Sequence, residues 1–345
     1  MQQRKSNIEL LRIFTMYIIV VHHIALHSGF VFESGLHINK LIVQFLQLGG
    51  KLGVDIFIII SGYFMICSHD DNKQIKYKGF RLWLQVEFYS IISLAITFLI
   101  GRYDMLTSEN IMYSVFPVIW RQYWFFSVYV IMIFLSPYIN IIINKLDRKE
   151  HKRLLITLVI IWSVIQTITN KNVESNELSF FLLLYIMGAY IRKYLNVVKI
   201  KYCVVMLFID MFFTLSSVTI IDYLEYYIPG LCKYETYFFG LQKVNICILA
   251  LLIFLLFREI NIKPNKLINT AASTMFGVYL IHDNIFMREY LWKDIFKLYD
   301  YQCSNCIGII IMIVAFIVMI VAALLDLVRQ KIFENKIDSL IKKYM

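Results

Sequence analysis

The sequence predicts an all-α membrane protein, a polytopic bundle of about ten transmembrane helices with both termini cytoplasmic. Three observations predict it. The 345 residues are 59% hydrophobic and 17% charged, where an ordinary soluble domain carries roughly a quarter charged residues. Apolar blocks near the length of about 20 residues that crosses a hydrocarbon core recur along the whole chain. Lys and Arg are dense in alternate connecting loops, and such loops stay in the cytoplasm.

Taken in order, the first block, 8–28, follows Arg4 and Lys5 and contains Arg12, His22 and His23. No small-residue cleavage site follows it, so it reads as a retained span and not as a signal peptide. The second, 52–67, returns inward and carries Asp55, Ser61 and Gly62; Lys73, Lys76, Lys78 and Arg81 precede the third, 82–101, which holds Glu87. Block 124–144 leads to a basic loop from Lys145 to Arg153, and 154–169 returns outward. The short block 179–191 ends at Arg192 and Lys193, and 202–221 contains Asp210. Block 244–257 runs into Arg258, Lys263 and Lys266; the weak block 270–286 carries His282 and Asp283; and 306–328 ends at Arg329 and Lys331. The stretch 38–48 is the place where one more span would fit. With the N-terminus inside, 23 of the 34 basic residues fall on the cytoplasmic side, 10 fall outside, and Arg12 is left within the membrane. The net charge of +10 therefore reports topology and contact with the inner leaflet, not a nucleic-acid partner.

One membrane-embedded domain, 1–330, accounts for nearly the whole chain. A cytoplasmic tail, 331–345, continues from Leu327 with Ile332, Ile337, Leu340 and Ile341 set among lysines, the pattern of an amphipathic helix on a membrane surface. Cys303 and Cys306 form a CxxC at an outer edge; with no second pair nearby, chance is the better reading.

Ionisable groups at membrane depth cost about 2.5–3.5 kcal/mol each and mark sites by default. Arg12 and His23 are 11 positions apart, which on a helix places them within about 20° of one face and about 16 Å apart along the axis. Both point into one place at two depths. Asp55, His282 and Asp283 lie at the depth of His23, and Glu87 and Glu9 near that of Arg12. The expected arrangement is an outer cluster of His23 with Asp55 or His282, and an inner cluster of Arg12 with Glu87 and Glu9. Competing readings are a snorkelling Arg12 and a His23 that only hydrogen-bonds between helices. Asp210, with no partner at its depth, reads as locally satisfied. Chemically, a neutral imidazole accepts a proton from a hydroxyl near neutral pH, and arginine offers a permanently charged fork for phosphate. A base outside and a phosphate clamp inside suit a reaction whose substrates enter from opposite faces. No Gly-rich phosphate loop, HExxH or GxSxG motif is present.

The stretch "LRIFTMYIIVVHH", with its arginine and histidine ten residues apart, resembles the membrane-bound acyltransferase 3 family of O-acyltransferases. The likeness continues, in the family's order, at "GVDIFIIISGYFM", "QYWFFSVYVIMIFLSPYIN", "YIMGAYIRKY" and "TMFGVYLIHDN", over residues 5 to 330. The resemblance implies a ten-helix membrane domain that takes an acyl group, usually acetyl from cytoplasmic acetyl-CoA, and delivers it to a hydroxyl of a surface polysaccharide or lipid-linked glycan. It implies a bacterial plasma-membrane location, acyl-CoA as donor substrate, no bound cofactor and no metal. By this likeness His23 is the base, with Asp55 and His282 beside it. Arg12, Lys78 and Arg81 belong to the donor side, to which the depth argument adds Glu87, and Ser61, Gly62, Trp124 and Tyr279 line the cavity or bind the acceptor. In this chain Lys78 and Arg81 stand where many members carry two closely spaced arginines. Two other function classes compete: a secondary transporter or flippase of an anionic solute, and a non-catalytic partner of a polysaccharide synthase.

Overall fold

In the computed structural model, which describes residues 5–67, 72–171 and 173–344, 79% of the chain is helical and there are no strands among the described residues. Among the described residues, eight helical segments are long and apolar enough to cross a membrane. The protein is thus an all-α polytopic membrane protein.

Each expected block falls on helix. The helices are α1 (Ser6–His27), α2 (Ile38–Gln47), α3 (Gly49–Met65), α4 (Asn72–Leu99), α5 (Ser108–Val115), α6 (Trp124–Lys145), α7 (Arg148–Val159), α8 (Ile165–Thr169), α9 (Glu177–Tyr194), α10 (Ile200–Glu225), α11 (Val244–Glu259), α12 (Lys266–Ser273), α13 (Met275–His282), α14 (Ile285–Glu289) and α15 (Ile307–Tyr344). The stretch 38–48 is no separate crossing. Leu48 alone joins α2 to α3, so Ile38–Met65 counts as one 28-residue segment. Two expected spans differ from the eight. α9 holds three charged residues, and the block 270–286 is split at Thr274 into α12 and α13 of eight residues each. α15 is continuous across position 331; the side chains that define the amphipathic tail, 335–345, lie outside the described residues.

Two apolar cores meet at the centre. One gathers α3, α9 and α11 with part of α6; the other gathers α1, α13, α15 and the inward faces of α4 and α6. The α7–α8 segment and α10 stand at the margin with Phe208 and Phe212 exposed, as expected of side chains facing lipid.

Missing side chains, more than large ones, bring the central helices together. A Cβ on Gly62 would lie 2.1 Å from the Tyr185 carbonyl oxygen, and one on Gly188 would lie 2.3 Å from that of Ile59. α3 and α9 therefore touch backbone to backbone, the small-residue packing that replaces hydrophobic drive inside lipid. Along the α1 seam, a Cβ on Gly49 would meet the Ile18 carbonyl oxygen at 2.3 Å, one on Gly50 the His22 ring at 2.4 Å, and one on Gly53 Ile19 at 2.5 Å. α13 approaches α15 through Gly277, whose Cβ would strike the Asp326 carboxyl group. That carboxylate is fully buried and accepts hydrogen bonds from Tyr89 Oη (2.7 Å), Arg329 Nε (2.7 Å), Gln330 Nε2 (2.8 Å) and Gln85 Nε2 (3.3 Å), tying α4 to α15.

Gly188→Val should lower the melting temperature of the detergent-solubilised protein, since overpacking a tight interior costs about 1–3 kcal/mol and the obstacle here is backbone. Gly240→Val, whose new side chain would meet only the flexible Lys243 chain, should stay close to wild type in the same thermal-shift assay.

Candidate active site

A cavity of about 1100 Å³ runs through the bundle between α1, α3, α4, α6, α12, α13 and α15. Its two ends differ in chemistry. At one end Arg12, Arg81, Lys266 and Arg329 converge, and at the other His23, Lys51, Trp124 and Arg288. α1 supplies a residue to each, because Arg12 and His23 share one helix face.

The outer group is ordered by a chain of hydrogen bonds. His282 Nδ1 lies 2.6 Å from the Val278 carbonyl oxygen, which can only accept, so His282 donates from Nδ1 and leaves Nε2 as the acceptor. His23 Nδ1 lies 2.8 Å from that Nε2 and must be the donor. The neutral His23 therefore has its lone pair on Nε2. Asp283 Oδ1 lies 3.7 Å from that atom. Arg288 Nη2 holds the same Asp283 oxygen at 2.8 Å and its main-chain carbonyl at 3.2 Å, which draws the carboxylate away from His23. The placement depends on the end of α13. His282 is its last residue, and Asn284 Oδ1 then caps α14 by accepting from Phe286 N at 3.0 Å. His22 turns the other way: Nδ1 donates to the Gln47 carbonyl oxygen at 2.5 Å, and the ring edge rests against Gly50.

At the inner end Arg12 Nη1 is 3.9 Å from Glu9 Oε2, and Arg12 Nε is buried with no hydrogen-bond partner among the described residues. Arg81 pairs with Glu334 of α15, and Arg329 with Asp326. Each of these guanidiniums thus has a carboxylate beside it; Glu9 and Glu334 line the cavity as well, and Asp326 lies outside its wall.

The expected residues sort as follows. His23 is brought to His282, while Asp55 is fully buried on α3, outside the cavity wall, with both carboxylate oxygens lacking partners among the described residues. Glu87 is not brought to Arg12. It accepts from Trp83 Nε1 at 2.9 Å, one turn away on its own helix, so the inner cluster is Arg12 with Glu9. Lys78 lies on α4 one turn before Arg81 but, unlike it, is not in the cavity wall. Ser61 is in the wall, donating to the Phe57 carbonyl oxygen at 2.9 Å and 3.1 Å from Tyr129 Oη. Gly62 is a correction: it faces Tyr185 on α9, not the cavity, because its missing side chain is what lets α9 approach. Trp124 and Tyr279 line the cavity, with Lys51 Nζ 4.3 Å from the Trp124 ring centroid and Tyr279 Oη buried without a partner among the described residues.

Among the groups in the wall that escaped the sequence reading are His27, Lys51, Lys266, Arg288 and Arg329. Lys51 and Arg288 were absorbed into the count of outer loop charges. Arg329 was detectable through Asp326, an acid three residues earlier inside an apolar block, by the rule that singled out Asp55.

A family model described as an acyltransferase domain matches residues 5–325. No curated protein and no solved structure matches the chain.

The hydrogen-bond chain predicts reactivity. Diethyl pyrocarbonate, which modifies unprotonated imidazole nitrogen, should label His23 well before His22 or His282, whose nitrogens are bonded or covered. Peptide mass spectrometry of briefly treated protein reads the order, and early labelling of His282 would contradict the assigned tautomers.

Proposed function

The chain belongs to the acyltransferase family, and from that membership we propose that it is an O-acyltransferase moving acetyl from cytoplasmic acetyl-CoA to a hydroxyl of an exported polysaccharide or lipid-linked glycan at a bacterial plasma membrane. The observation that carries this reading is the lone pair of His23 Nε2, facing a cavity whose far end gathers arginines.

In this reading the donor enters from the basic end. Its phosphates are met by Arg12, Arg81, Lys266 and Arg329, and its thioester reaches outward. Arginine suits phosphate because its fork is planar and permanently charged. The acceptor hydroxyl approaches from the other end. His23 Nε2 takes the hydroxyl proton as the oxygen forms a bond to the thioester carbonyl carbon. Collapse of the tetrahedral species breaks the carbon–sulfur bond, and the proton held by His23 passes to the departing thiolate, giving the ester and free CoA. His282 keeps the His23 ring turned with Nε2 outward, and Asp283 stands close enough to stabilise the imidazolium. Among the recorded hydrogen bonds of the described residues, no side-chain hydroxyl or thiol engages His23 Nε2, which favours direct transfer over an acyl-enzyme. The buried Asp55 acts at a distance from the reacting atoms, as a neighbour of Lys51.

Two substitutions test the division of labour in proteoliposomes supplied with labelled acetyl-CoA and glycan. His23→Ala should lower kcat about 10²- to 10⁴-fold, the usual span for a positioned base, with acetyl-CoA binding intact. Arg12→Ala should mainly raise the KM for acetyl-CoA, by roughly 10- to 100-fold for a lost charged hydrogen bond of about 1.5–3 kcal/mol. In cells, NMR of the surface polymer should lose its acetyl signals with His23→Ala at unchanged polymer yield; acetyl signals that persist would remove His23 from the chemistry.

A further inference from the structure

Beside the reaction cavity lies a second, smaller one of about 500 Å³, within the roughly 300–1,000 Å³ range of small-molecule sites. The two share two residues, Lys51 and Trp124. The smaller cavity is formed where the chain enters α3, α6, α9 and α11 and leaves α8, the side that the loop charges assign to the exterior.

Its lining contrasts with that of its neighbour. Apart from Trp124 and Leu241 every lining residue is polar or charged, with the amides of Gln166, Asn176 and Gln242 prominent. Two of these are held in place: Asn176 Oδ1 accepts from Ser179 N at 3.0 Å, and Gln242 Oε1 accepts from Ser175 Oγ at 3.2 Å. The third is unspent, since Gln166 Oε1 is buried with no hydrogen-bond partner among the described residues, and a buried unpaired acceptor carries a free-energy cost that a ligand donor relieves. Glu177, 3.5 Å from Arg121, closes the rim. Amides that both donate and accept, next to an indole ring, match the alternating hydroxyls and apolar face of a pyranose. An acyl chain would find little to bind, and Glu177 opposes the charge that Lys51 offers to a phosphate.

Resting on the acyl-transfer reading, we propose that this cavity is an acceptor subsite that holds the sugar next to the one being acylated, with Trp124 at the junction and Gln166 as a hydrogen-bonding contact. The enzyme then recognises at least a disaccharide unit of its acceptor, and the neighbouring sugar presents the reacting hydroxyl to His23.

The test compares acceptors of different length in proteoliposomes with labelled acetyl-CoA: methyl β-D-glucopyranoside and N-acetylglucosamine against cellotriose and chitotriose. Wild type should favour a trisaccharide over its monosaccharide by tenfold or more in kcat/KM, through KM. Gln166→Leu removes the free amide and Leu241→Trp fills the space; each should bring that ratio close to one while monosaccharide transfer stays within twofold. The monosaccharide rate also reports that the variants are folded. A ratio of one in wild type, or a ratio that survives both variants, overturns the subsite and leaves acyl transfer standing. Wild type that labels no saccharide removes the acyl-transfer reading and the subsite together.

Discussion

The contact on which the site depends is the pairing of His23 with His282. It joins α1 to α13 beside the cavity, and its direction is imposed by a main-chain carbonyl one turn back in α13. A carbonyl has no proton to give, so the polarity of the whole chain is decided at Val278 and transmitted through two imidazoles to His23 Nε2. A carboxylate behind His23 Nδ1 would have fixed the same tautomer but held charge in the membrane interior. A neutral histidine orients the base without that charge, which matters where desolvating an ion is expensive.

The inner end follows a different rule. Its guanidiniums are permanently charged, and each has an acid beside it: Glu9 for Arg12, Glu334 for Arg81 and Asp326 for Arg329. These pairs reduce the cost of holding three cations side by side, and all three arginines still line the cavity. The Asp326 carboxylate also receives Tyr89, Gln85 and Gln330, so the position of Arg329 is set by a network and not by one flexible side chain.

Much of this was legible in the sequence. Hydropathy located the helices, loop charge gave a consistent topology, and the depth argument paired His23 with His282 as one of two alternatives. The sequence offered no means of choosing between Asp55 and His282, because both sit at the same depth and only the azimuth of α3 decides. That azimuth is set by glycines whose role is to let neighbours in, and Gly62 was accordingly misread as part of the wall. Glu87 failed for a related reason: Trp83, four residues earlier, satisfies it locally, and a depth count cannot see a partner on the same helix. The split of the block 270–286 was also hidden. Its apolar pattern continues through Thr274, where the backbone does not.

The seam between α1 and α3 carries a consequence for how such a chain can vary. Every substitution of a glycine introduces a Cβ, and at Gly49, Gly50 and Gly53 that atom would collide with α1, at Gly50 with the ring of His22 itself. There is no small step away from these residues. The register that holds Arg12 and His23 toward the cavity is therefore closed to gradual change, while Gln166, Asn176 and Leu241 belong to other segments than α1 and α3. New acceptors can be explored there without disturbing the helix that carries the base.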